Sequence, residues 1–180
     1  MASAMKPDRK RMLAALAAHV LEAGLTHASL RPLAAAAGTS DRMLIYHFGS
    51  KEALIAEILE HLANEMAAGL DALIPARRYA EEGVLVREIV ALLRSDLFKP
   101  YCAIWLEILS VAARGGTAHR AAAQAIIRIF LDWLAARHPR GESGSAATLT
   151  LIEGIVVMDV AGRSDVADTT LDALLGPASG

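Results

Sequence analysis

The sequence has a single cysteine, Cys102. One thiol excludes an intramolecular disulfide and a zinc cluster built from thiolates, and it fits a reducing cytoplasm. Aromatic residues make up only 4% of the chain, and β-branched runs are scarce, so little argues for strands. The formal net charge is -2, and that balance by itself speaks against a nucleic-acid partner. No continuous apolar segment follows the basic N-terminal residues, so no signal peptide is expected. The most apolar run, residues 149–161, carries Glu153 and Asp159 and is too short to span a bilayer, so no membrane partner is expected. The histidines are His19, His27, His47, His61, His119 and His138. No pair has the i, i+4 spacing of a helical zinc protease, and neither Gly-x-Ser-x-Gly nor a phosphate-cradling glycine loop occurs. Catalytic residues, metal ligands and cofactors are therefore not expected, and the chain does not read as an enzyme.

What remains is rich in alanine and leucine. Of the 180 residues, 54% are hydrophobic, which favours helices around a sizeable core. Charge is unevenly placed. Lys6, Arg9, Lys10, Arg11, Arg31, Arg42 and Lys51 face only Asp8, Glu22 and Asp41 up to residue 51, which leaves an acidic remainder. A basic end on an acidic body suits DNA.

Residues 29–51 organise the chain. Ser29 stands at a helix N-cap position, and Pro32 falls in the first turn, where a missing N–H costs little. Leu30, Leu33, Ala34 and Ala37 recur at helical spacing, and Gly38 ends the helix. Ser40 caps a second helix with Leu44 and Phe48 on one face. Asp41, Arg42, Met43, Tyr46 and His47 then point away from the core. Ser50 caps a third helix that opens with Lys51 and Glu52. Helix, glycine turn, helix is the geometry that lays a second helix in the major groove. Arg42 can reach guanine O6 and N7 or a phosphate, Tyr46 and His47 can reach phosphates or thymine methyls, and Lys51 sits where a helix start already favours an anion.

The run L-A-A-A-A-G-T-S-D-R-M-L-I-Y-H-F-G-S-K-E-A-L resembles the N-terminal DNA-binding domain of TetR-type transcriptional regulators. The resemblance covers about the first third of the chain. It implies an all-α protein: a three-helix helix-turn-helix DNA-binding domain over residues 1–50, then a helical effector-binding and dimerisation domain over residues 51–180. The implied DNA-contacting set is Arg31, Thr39, Ser40, Asp41, Arg42, Met43, Tyr46, His47 and Lys51, with Arg9, Lys10 and Arg11 approaching the backbone. Two departures stand out: the family often has a small or basic residue where Asp41 and Arg42 stand, and usually tyrosine where Ile45 stands. An acid on a DNA face repels phosphate unless it accepts from a cytosine N4.

In order, residues 1–6 read as a tail, and a helix opened by Pro7 and Asp8 runs to about Ala23. Residues 25–28 form a loop. A long helix from Lys51 stops near Leu73, before Pro75. Further helices are expected over residues 84–96, 100–114, 118–137, 146–161 and 165–175, with a Pro/Gly/Ser loop over 138–145 as the flexible part of the body. The helix over 118–137 is apolar on two sides, and that over 146–161 on nearly all faces, where Gly154 permits close approach. More apolar surface than one core needs points to a homodimer; the resemblance implies pairing through the last two helices. Met66, Tyr101, Trp105, Glu107, Phe130 and Trp133 are candidates for a small-molecule effector pocket. The function implied is a repressor released from a palindromic operator in double-stranded DNA by an effector. The alternative is a helical ligand-binding or interaction protein without operator recognition.

Overall fold

The structure is a computed structural model and describes residues 9–177. It contains α1 (Arg9–Ala23), a 3-10 turn (Leu25–His27), α2 (Leu30–Ala36), α3 (Asp41–Phe48) and α4 (Lys51–Leu73). Then come α5 (Glu82–Leu93), α6 (Lys99–Ala113), α7 (Thr117–Ala135), α8 (Glu142–Val160) and α9 (Ser164–Leu175). No strand occurs among the described residues, so the fold is all-α as the composition implies. The expected tail and the helix opening at Pro7 and Asp8 lie outside the described residues.

The chain forms two compact units. One holds residues up to Glu65 together with Ala103–Ile126; the other holds Met66–Cys102 with the residues from Ile127 on. In the first, α1 buries Met12, Leu16 and Val20, an i, i+4, i+8 stripe on one helical face. α2 packs on α1 and α3, burying Leu33 and Ala34, and α3 buries Leu44 and Phe48. From α4, Leu54, Ile58 and Leu62 are buried at the same four-residue spacing.

In the second unit, α8 packs on α5 and α9. Leu85, Val86, Ile89, Val90 and Leu93 join Leu149, Ile152, Ile155, Val156, Ala167 and Leu171 in one core with Phe98, Trp133 and Leu134. Charge reinforces this packing. The Arg94 guanidinium donates to both Asp159 oxygens, at 2.8 and 2.9 Å, and to Asp168 at 2.8 Å, which ties α5 to both later helices.

Several boundaries differ from the sequence reading. α5 starts at Glu82, so Gly83 lies inside the helix. A β-carbon there would stand 3.2 Å from the Leu175 carbonyl, and glycine admits the end of α9. The loop expected over residues 138–145 is shorter: α8 begins at Glu142, and His138 is 0% exposed. Ser29 occupies the N-cap of α2 in extended conformation, but its side chain makes no capping bond. α8 has 19 residues and is, by length and composition alone, long and apolar enough to cross a membrane. One of its faces is packed in the core, and Asp159 near its end pairs with Arg94.

Candidate nucleic-acid interface

The turn between α2 and α3 is closed by backbone geometry. Gly38 has φ of 61°, open to glycine without steric cost. Its N–H donates to Ala35 at 3.1 Å, and the Thr39 N–H reaches back to Ala34 at 2.9 Å. This pair of reversed bonds satisfies the orphan carbonyls at the end of α2. Ser40 then accepts from the Met43 N–H at 3.3 Å and caps α3. Gly49, with φ of 84°, ends α3, and Ser50 accepts from the Ala53 N–H at 3.0 Å to start α4. Two serine caps, each of about 1 kcal/mol, fix both sides of the short helix.

With Leu44 and Phe48 buried, the outer face of α3 presents Asp41, Arg42 and Tyr46 to solvent, Tyr46 at 72% exposure. Met43, Ile45 and His47 are half-buried, and the Tyr46 and His47 rings meet edge to face with centroids 5.2 Å apart. Arg31 on α2, Ser40 at the cap and Lys51 at the start of α4 are exposed, and Thr39 is half-buried. His47 turns partly inward: its Nε2 is covered and finds no hydrogen-bond partner among the described residues.

One contact was not anticipated. Arg9, at the start of α1, donates to Glu57 of α4 and lies over the Phe48 ring of α3. Partners 48 residues apart leave no mark in a local pattern.

The six pocket candidates divide between the units. Met66, Tyr101 and Phe130 are partly buried against the second unit's core, and Trp133 is buried within it. The Trp133 N–H donates to Asp71 at 2.7 Å, and its ring carries the Arg137 guanidinium 3.9 Å from the centroid. Trp105 and Glu107 belong to the first unit. Glu107 accepts the Leu25 N–H at 2.8 Å, so its carboxylate holds the turn after α1. Beside it lies a cleft of about 340 Å³, walled by Thr26, Lys51, Ser110, Arg114 and His119 among others. No group of histidine, cysteine or carboxylate side chains suited to a metal ion occurs among the described residues.

Residues 13–58 match the family model of bacterial regulatory proteins, tetR family. Among curated proteins none matches the chain. Solved structures share the architecture. The multidrug binding protein EbrR, complexed with ethidium, is 25% identical over 94% of this chain and 99% of its own, with a TM-score of 0.69. A transcriptional regulator from Rhodococcus sp. Rha1 is 20% identical over 94% of each chain, with a TM-score of 0.67. The transcriptional regulator FadR from Bacillus subtilis, in complex with stearoyl-CoA, is 15% identical over 95% of this chain and all of its own (100%), with a TM-score of 0.63. An exposed second helix capped by Ser40 lies inside the stretch, residues 13–58, that matches the tetR family of bacterial regulatory proteins, and along nearly its whole length the chain shares its fold with these solved structures.

Proposed function

We propose that the chain is a homodimeric, operator-binding transcriptional repressor released by a small-molecule effector. The observation that carries this reading is α3: a helix capped at its start, stopped by glycine, and showing Asp41, Arg42 and Tyr46 outward beside Lys51. Arg42 reads a guanine edge or a phosphate, Tyr46 packs on backbone or a thymine methyl, and Lys51 meets a phosphate at the start of α4. Arg31, Thr39, Ser40, Met43 and His47 flank them, and Asp41 accepts from a cytosine. On this reading residues 1–50 bind DNA and residues 51–180 serve dimerisation and the effector.

The dimer face is the outer side of α8. Ala147, Thr150, Gly154, Val157 and Ala161 are exposed at alternating three- and four-residue spacing, with Val157 at 44% exposure. A two-fold axis lets one such stripe cover its copy. The effector site is placed among Met66, Tyr101, Phe130 and Trp133. EbrR complexed with ethidium and FadR in complex with stearoyl-CoA show that proteins of this fold are found with small molecules. An effector releases DNA only by its differential affinity for the two conformations.

The test is selection of binding sites from a random-sequence duplex pool, followed by titration of variants. A near-palindromic site should emerge. Arg42→Ala should weaken it about tenfold or more and relax one base position, and Lys51→Ala should weaken all duplexes and flatten the salt slope by about one unit. If Arg42, Tyr46 and Lys51 can each be replaced without change, the DNA face is misassigned.

A further inference from the structure

Arg9 looks, from its position in a basic cluster, like a phosphate contact. Its geometry gives it another task. Nη2 donates to both oxygens of Glu57 at 2.6 Å, Nε donates to the His47 carbonyl at 3.4 Å, and the guanidinium carbon stands 4.8 Å from the Phe48 ring centroid. The His47 carbonyl is among the last of α3, where no intrahelical N–H is available. A cation there also meets the negative end of the helix dipole. One side chain from α1 therefore grips the C-terminal end of α3 and the second turn of α4.

α3 has eight residues, too few to hold its shape alone in water. Its direction is set by what it touches: the buried pair Leu44 and Phe48, and this guanidinium. Phe48 itself lies between core and cation, buried at 5% exposure with Arg9 over its ring. Arg9 is half exposed, at 49% of its side chain, but its Nη2 is taken up by the Glu57 carboxylate, whose charge also repels a phosphate approaching from that side.

We infer that Arg9 is a positioning residue of the nucleic-acid interface, clamping α3 against α4 and making no phosphate contact of its own. The inference rests on the DNA-binding reading above and adds a residue to it. Glu57 is the informative partner, because the two roles give opposite signs. If Arg9 contacts phosphate, neutralising Glu57 frees it and removes a negative charge, and DNA affinity rises. If Arg9 is a clamp, the same change loosens α3 and affinity falls.

The experiment uses full-length protein and the duplex selected by the wild type, with an unrelated duplex as control. Glu57→Gln should weaken the selected duplex about fivefold, the scale of one half-exposed ion pair with a cation–π contact. Arg9→Ala should weaken it similarly while the salt slope keeps its wild-type value. The charge exchange R9E/E57R should recover most of the affinity that R9E loses. Hydrogen exchange without DNA should speed up across residues 41–48 in Arg9→Ala, while the amides of α2 keep their rates. Tighter binding by Glu57→Gln, a slope lowered by about one unit in Arg9→Ala, or unchanged exchange in α3 each overturns the inference. Failure of the wild type to select any duplex would sink the DNA-binding reading, and the exchange experiment would still decide whether the clamp exists.

Discussion

The imidazole of His138 fills the space that a β-carbon on residue 144 would need. The ring is fully buried, at 0% exposure. Its Nδ1 accepts the Arg140 N–H at 3.0 Å, and its Nε2 lies 3.4 Å from Glu82 Oε1. Glu82 also accepts from Thr148 at 2.6 Å and from Arg140 at 3.2 Å. The ring cannot slide aside without breaking this set. Gly144→Ala should therefore destabilise the protein by about 2 kcal/mol, the range for forcing extra volume into a packed site. Thermal melting should show a fall of roughly 4–8 °C for a chain of this size. An unchanged melting temperature would mean that the ring has another place to go.

The same carboxylate gives a pH dependence. Burial pushes Glu82 up, but hydrogen bonds from Thr148 and His138 and the charge of Arg140 outweigh it and hold the group below its ordinary value of 4.5. Asp159 behaves alike: burial raises it, while Arg94 and Ser164 bring it below 3.8. A carboxylate lowered in the folded state binds fewer protons there than in the unfolded chain, so stability rises with pH through this window. The contribution is complete above the ordinary carboxylate values and fades as pH falls through the depressed ones. Denaturant titrations between pH 6 and 3 should show stability dropping most steeply below about pH 4.5. Arg94→Gln should be less stable than wild type at pH 6, with the gap closing as the acid limb is descended. A constant gap would show that Arg94 acts by packing alone.

What could be read in advance was local. Gly38, Ser40, Ser50, Leu44 and Phe48 act through neighbours within about four residues, so their roles follow from spacing and propensity. The contacts with no local signature join distant parts of the chain: Arg9 with Glu57, Glu107 with Leu25, His138 with Glu82. Glu107 reads from the sequence as a pocket candidate, and nothing local shows that a backbone N–H 82 residues earlier binds it. Residues 138–145 misled for a related reason. Their proline, glycines and serines are loop formers by propensity, but α8 already begins at Glu142 and a histidine packs under Gly144. On the DNA face, the caps were legible, whereas the partial inward turn of His47 depends on tertiary packing.

Asp71 and Arg137 offer a test of how a buried charge is held. The Arg137 side chain is 3% exposed. It donates to Asp71, to the Ile74 carbonyl at 3.3 Å and to the Trp133 carbonyl at 3.1 Å. Asp71→Ala should cost about 3 kcal/mol, the low end for breaking a buried pair, because the Asp71 side chain is itself half exposed. Arg137→Met removes the charge along with its need for a partner and should cost less. Chemical denaturation of both variants checks the order. A larger loss for Arg137→Met would mean that the bonds to the Ile74 and Trp133 carbonyls matter more than the pairing with Asp71.

The outer stripe of α8 makes the assembly testable. Gly154 has nothing within 4 Å of where its β-carbon would lie, and Val157 and Val160 are 44% and 62% exposed. The opposite face of the helix, with Ile152, Ile155 and Val156, is already buried. An α8 stripe left open in a monomer would expose contiguous apolar surface of the kind that marks an interface. Val157→Arg puts a charge in its centre, where pairing with a copy would bury two guanidinium groups against each other. Sedimentation velocity should show a dimer for the wild type and a monomer for Val157→Arg, with helix content by circular dichroism unchanged. Binding to a two-half-site duplex should fall by far more than binding to a single half-site, because the second contact is no longer intramolecular. A wild-type monomer, or a Val157→Arg dimer of undiminished stability, would move the interface away from α8.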